Sequence, residues 1–146
     1  MKIITKNKRA HHDYEIIDKF EAGMELLGWE VKTARANQVQ INAAFCSIYK
    51  DEIYLKNANF KQYMLVKCDE TRDRKLLLHK SEIRKIKHKS ESLKLTIIPL
   101  AMYFNKNSKI KLEIALARGL KKHDKRDKII QEETQKRLQK TIKNFY

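Results

Sequence analysis

The sequence predicts a mainly β fold, a small, partly closed antiparallel barrel with short inserted helices and a basic C-terminal tail. Three observations predict it. Ile110, Leu112, Ile114 and Leu116 alternate with Lys109, Lys111, Glu113 and Ala115, the period-two pattern of a strand with one buried face. The apolar parity switches at Ile97 and Ile98, beside Pro99, which marks the kind of bulge or bend that lets a small sheet curl closed. After Gly119 the chain changes character: residues 118–146 hold ten Lys and Arg against four Asp and Glu. Their apolar residues Ile130, Leu138 and Ile142 make a stripe too narrow to bury much against a core. With 146 residues, 42% of them apolar, one domain plus an appendage is expected. The boundary falls at Gly119, giving a barrel over 1–119 and a tail over 120–146.

In chain order, residues 1–13 are polar and basic apart from Ile3 and Ile4 and read as an extended arm. Adjacent His11 and His12 point in different directions on either a helix or a strand, so no shared metal is expected. Tyr14, Ile16 and Phe20 share one parity and suggest a first strand reaching toward Gly23, with Glu15, Lys19 and Glu21 facing water. Gly28 breaks the pattern and Trp29 to Arg35 read as a short helix, with Asn37 placed to end it in the left-handed conformation. Residues 45–49 and 53–58 form a hairpin through Lys50, Asp51 and Glu52. Residues 60–74 carry few repeating signals and are expected to include a loop. The Leu76, Leu77, Leu78 run leads into a helix with Ser81 as N-cap, Glu82 in the first turn, and Ile83 and Ile86 on the buried face. Leu93, Leu95 and Ile97 then lie on one parity, and Ile98, Leu100, Met102 and Phe104 on the other. Asn105 to Ser108 turn into the last strand. Five or six strands with inserted helices have the economy of oligonucleotide-binding barrels.

The formal charge is +15, and residues 74–146 carry +14 of it. That asymmetry points to a polyanion partner. No apolar run reaches the length of a membrane span and the N-terminus lacks a signal-peptide core, so a cytoplasmic protein without a membrane partner is expected. Cys46 and Cys68 stand alone, which indicates neither a zinc motif nor a disulfide framework. The five histidines could serve phosphodiester cleavage, but no nucleophile elbow, phosphate-cradling glycine loop or metal-ligand motif fixes them together, so no enzyme, metal or cofactor is expected. RNA binding has the better case: Lys and Arg supply phosphate contacts, and exposed faces of Tyr14, Trp29 or Phe60 could stack unpaired bases, although each aromatic alone reads as core. Glu30 is the odd residue, an acid that either complements the helix dipole or accepts a hydrogen bond from a base amino group.

The order of these pieces resembles the SsrA-binding protein family, also called small protein B. The resemblance rests on Asn7-Lys8-Arg9-Ala10 with His12-Asp13-Tyr14-Glu15-Ile16, on Phe20-Glu21-Ala22-Gly23, on Gly28-Trp29-Glu30-Val31-Lys32 with Arg35-Ala36, and on Arg74-Lys75-Leu76-Leu77-Leu78-His79-Lys80. Pro99-Leu100 with Tyr103-Phe104, and Ala115-Leu116-Ala117-Arg118-Gly119 followed by Asp124-Lys125-Arg126, complete it. It implies a barrel that grips the tRNA-like domain of transfer-messenger RNA and brings it to stalled ribosomes, without chemistry of its own. It also implies a tail that enters the decoding centre and the empty message channel and is disordered or conditionally helical. Elongation factor Tu, carrying the aminoacylated RNA, is implied as an indirect partner. By matching motif, Glu30, Leu77 and His79 look like RNA-binding residues. Lys8, Arg9, Lys32 and Arg35 add positive charge nearby, and His123, Asp124, Lys125 and Arg126 match the decoding-centre segment. The chain departs from the family pattern at Asn37 and Gln38, where Gly-Lys is usual, and at Leu120, where a lysine is usual.

Overall fold

In a computed structural model, which describes residues 2–65 and 67–120, six strands pair edge to edge into a closed antiparallel ring. They are β2 (Tyr14–Met24), β4 (Phe45–Tyr49), β5 (Glu52–Lys56), β7 (Arg74–Leu77), β8 (Thr96–Phe104) and β9 (Ile110–Gly119). Around the ring they run β8-β4-β5-β7-β2-β9, and β9 pairs back onto β8. Closure is narrow at three places: β4 meets β8 at Cys46 and Ile97, β5 meets β7 at Tyr54–Lys75 and Leu55–Arg74, and β2 meets β7 at Gly23–Leu77 and Met24–Leu76. The β4–β5 hairpin and the long β2–β9 and β8–β9 ladders carry the rest. The mainly β barrel with inserted helices is therefore the fold. The strands are more numerous than alternation alone indicated, because β3 (Val39–Gln40) and β6 (Asn59–Phe60) add a two-stranded ribbon and β1 (Lys2–Lys6) adds to the edge of β8.

The hairpin forms where expected, and Lys50 and Asp51 turn it with φ of 49° and 60°, the doubly left-handed geometry that suits the twist of a two-residue connection. The parity switch in β8 has a sharper outcome. Leu95, Ile97, Met102 and Phe104 pack in or against the main core, whereas Ile98 and Leu100 join Ala10, Ala115 and Ala117 in a second cluster. The register shift between Pro99 and Ala101 moves the even-numbered residues from the second cluster to the main core, so that Met102 and Phe104 share a face with Leu95 and Ile97. A matching shift between Ile16 and Asp18 in β2 splits the stripe read as one face: Tyr14 and Ile16 pack on the second cluster, and Phe20 on the main core. Leu93 is half exposed and caps the preceding helix rather than extending β8.

Two expectations are corrected. The N-terminal arm is β1 followed by a single helical turn, α1 (Ala10–Asp13). Buried Ile4 and buried Asn7 hold this segment to β8; the Asn7 backbone N–H donates to the Leu100 carbonyl at 2.8 Å and its side-chain amide to the Pro99 carbonyl at 3.0 Å. The loop expected in the stretch before the leucine run is there, over the described residues 61–65 and 67–73 between β6 and β7, and in β7 Leu76 is buried and Leu77 exposed as a strand requires. The helix α3 (Lys80–Ser92) takes His79, not Ser81, as its N-cap; Ile83 and Ile86 enter the main core as expected.

Candidate nucleic-acid interface

The helix α2 (Gly28–Arg35) separates two neighbourhoods, one with Glu30 and Lys32 and the other with Arg35 and Leu77. Its start is fixed by Glu30, whose carboxylate accepts the Leu27 N–H at 2.7 Å and so satisfies one of the free donors of a helix N-terminus. Asn37, with φ of 57°, ends the segment, and its N–H donates to the Ala34 carbonyl at 3.0 Å. Between these ends Glu30, Thr33 and Ala34 are buried, while Lys32 and Arg35 point to solvent.

The side chain of Glu30 is fully buried, so it presents no surface to a base and the direct-acceptor reading of this residue is corrected. One oxygen takes Arg72 Nη2 at 2.5 Å and the other takes Arg74 Nε at 2.5 Å. Burial acts to raise the Glu30 carboxyl, but the hydrogen bonds from Arg72, Leu27 and Arg74 outweigh it and hold the group below its ordinary range. Arg74 is also fully buried. It donates to the Ala58 carbonyl at 3.0 Å and to the Glu70 carbonyl at 3.1 Å, and its guanidinium lies 4.0 Å from the centre of the Phe60 ring. Phe60 is thus a buried partner of an arginine and not a platform for bases. Trp29 and Tyr14 are half-buried against the main and second clusters.

On the other side of α2 lies a groove of about 430 Å³ between the end of β2, the end of β7 and the β8–β9 turn. Arg35, Lys109 and Lys111 supply three cations; Met24, Val31, Leu77 and Ile110 are among its apolar lining. Leu77 reaches this position because β7 alternates Arg74 and Leu76 inward, leaving Leu77 half exposed. Gly23, opposite Leu77 in the ladder, leaves the room: a Cβ there would stand 3.3 Å from Leu77 Cβ. An apolar floor with cations on its rim suits a ribose-and-phosphate chain, whose apolar and anionic parts alternate.

Comparison with known proteins places this arrangement. Residues 4–144 match the family described as SmpB protein. The chain belongs to the SmpB protein family. Relatives of this SmpB chain include the SsrA-binding protein of Mycoplasmopsis synoviae strain 53, 57% identical over 98% of this chain and 99% of that one. The SsrA-binding protein of Mycoplasmopsis fermentans strain PG18 is 55% identical over the full length of both. A solved chain described as "tmRNA-SmpB: a journey to the center of the bacterial ribosome" is 39% identical, with a TM-score of 0.68 over 86% of this chain and 93% of that one.

Within this SmpB fold the expected residues do not form one cluster. Arg35 and Leu77 meet in the groove. Lys32 turns to the other side of α2, with Nζ 5.4 Å from the centre of the Tyr63 ring. His79 is exposed at the start of α3. Exposed Lys8 and Arg9 follow β1, and Arg9 lines a separate small pocket with Asn7 and Asn42. His123, Asp124, Lys125 and Arg126 lie outside the described residues. Sequence reasoning missed Lys109 and Lys111, taken only as the wet face of a strand, and the arginine pair Arg72 and Arg74. The available signal for that pair was Glu30 itself, since a carboxylate inside a small core demands cations.

Proposed function

We propose that this protein is an RNA-binding trans-translation factor: it binds the tRNA-like domain of transfer-messenger RNA and delivers it to stalled ribosomes. The observation that carries this reading is the near-complete alignment with relatives named SsrA-binding proteins, and the solved tmRNA–SmpB chain supports it. In this reading the barrel, residues 1–119, grips the RNA through Arg35 and Leu77 in the groove, with Lys32, His79, Lys8 and Arg9 contributing from neighbouring surfaces. The tail, 120–146, carries His123, Asp124, Lys125 and Arg126 to the decoding centre of the small subunit. Elongation factor Tu is met through the shared RNA, and the protein acts in the cytoplasm. It supplies contacts and no bond-making chemistry.

Truncation after Gly119 tests the division of labour. Affinity for transfer-messenger RNA should stay within about twofold of the full chain, since the phosphate contacts of the barrel remain, while tagging of stalled products in a reconstituted translation system should stop. Equal loss of both would refute separate roles. Competition with excess bulk tRNA distinguishes a general basic binder, which would be displaced from labelled transfer-messenger RNA and show a steep salt dependence without selectivity.

A further inference from the structure

We infer that Arg72 binds a phosphate of the RNA backbone, and that Glu30 is the positioning residue that holds it for that contact. The inference rests on the RNA-binding function proposed above. Arg72 and Arg74 share the single carboxylate of Glu30, but they differ in what they can reach. Arg74 is sealed, whereas the Arg72 side chain keeps 33% of its surface open. Its recorded partners are the Glu30 carboxylate at Nη2 and the Asp73 carbonyl at 3.2 Å from Nη1. Nε is buried without a hydrogen-bond partner among the described residues, and Nη1 and Nη2 each carry a further N–H beyond the two bonds named, so the guanidinium has donor capacity that the described fold leaves unused.

Neighbouring acids do not fill that capacity. Asp69 accepts from the Thr71 N–H at 3.1 Å, Glu70 accepts from the Gln62 N–H at 2.7 Å, and Asp73 faces Lys56 at 3.9 Å. A guanidinium anchored on one edge by a buried carboxylate loses little side-chain freedom when an anion approaches another, and its planar fork matches phosphate oxygens. Lys32, on the turn of α2 that carries Glu30, adds a second cation on this side of the helix. Glu30 and Arg74 are sealed from solvent, and Arg72 is the part of their cluster that meets it.

The test uses the full chain, the labelled tRNA-like domain of transfer-messenger RNA, bulk tRNA, and binding curves at several salt concentrations. Arg72→Ala should weaken binding about tenfold and reduce the slope of log affinity against log salt by about 0.7–0.9, one phosphate contact. Arg72→Lys should restore the slope but only part of the affinity, because an ammonium cannot copy the fork. Glu30→Gln should reproduce the Arg72→Ala loss, and the double variant should be no worse than either alone. Wild-type slope and affinity in a folded Arg72→Ala protein, or additive losses in the double variant, would overturn the assignment. The slope is read on bulk tRNA as well: a wild type without selectivity would overturn the trans-translation reading, yet a slope change with Arg72→Ala would still uphold the phosphate contact.

Discussion

Arg74→Ala is expected to destabilise the protein by about 3 kcal/mol, the lower end of the range for breaking a buried ion pair. The lower end applies because Arg72 and the Leu27 N–H still hold one oxygen of Glu30. Loss also reaches beyond the pair, since Arg74 satisfies the carbonyls of Ala58 and Glu70 and covers the Phe60 ring. One side chain therefore ties α2, β6 and β7 together across the barrel, and its removal loosens all three. Against a typical total of about 5–15 kcal/mol for a domain, thermal unfolding should move down by about 10 °C. A shift of only one or two degrees would show that the cluster relaxes without it.

Acid should expose the same cluster. The folded-state carboxyl of Glu30 lies below its ordinary range, so its contribution is complete above the unfolded value and disappears as pH falls through the folded one. Stability measured by urea unfolding should fall on acidification below the ordinary carboxylate range. Glu30→Gln should be less stable than wild type at neutral pH and approach it in acid. Asp18, lowered chiefly by its hydrogen bond from Lys89, shifts in the same sense, but both partners keep about a third of their side-chain surface in solvent, which screens the pair, and it contributes little. Curves that stay parallel down to strong acid would refute the ion pair as a source of stability.

Glu30 also marks where the sequence stopped being readable. Its partners stand 42 and 44 residues away, and no local pattern connects an acid in a helix to arginines beyond a loop. The strands that were legible, β2, β4, β5, β8 and β9, each show alternation or a recognisable turn. β7 was hidden because its first inward residue is Arg74, which reads as polar. β1 was hidden because Ile4 is its one buried side chain. The bulge beside Pro99 was visible as a change of parity, but its return was not, since Leu100 and Met102 look alike in hydropathy and differ only in which cluster they enter. Arg35 and Leu77 were found by family pattern. Lys109 and Lys111 needed the closed ring, because strand closure is what brings the β8–β9 turn beside α2.

Those lysines yield the largest expected effect on RNA. Replacing Arg35, Lys109 and Lys111 together by Gln should weaken binding of the tRNA-like domain about 100-fold, from roughly 1 kcal/mol for each of three contacts. The slope of log affinity against log salt should become shallower by about two units, near 0.7–0.9 for each phosphate released. Stability should change little: Arg35 and Lys109 are exposed, Lys111 is half-buried on an outward strand position, and none has a recorded ion-pair partner among the described residues. Leu77→Ala should act differently, weakening binding while leaving the salt slope unchanged, because it removes apolar contact and no charge. The two signatures separate the floor of the groove from its rim. If the triple variant kept its affinity and slope, the RNA would have to approach by the Lys32 and Arg72 side of α2 alone.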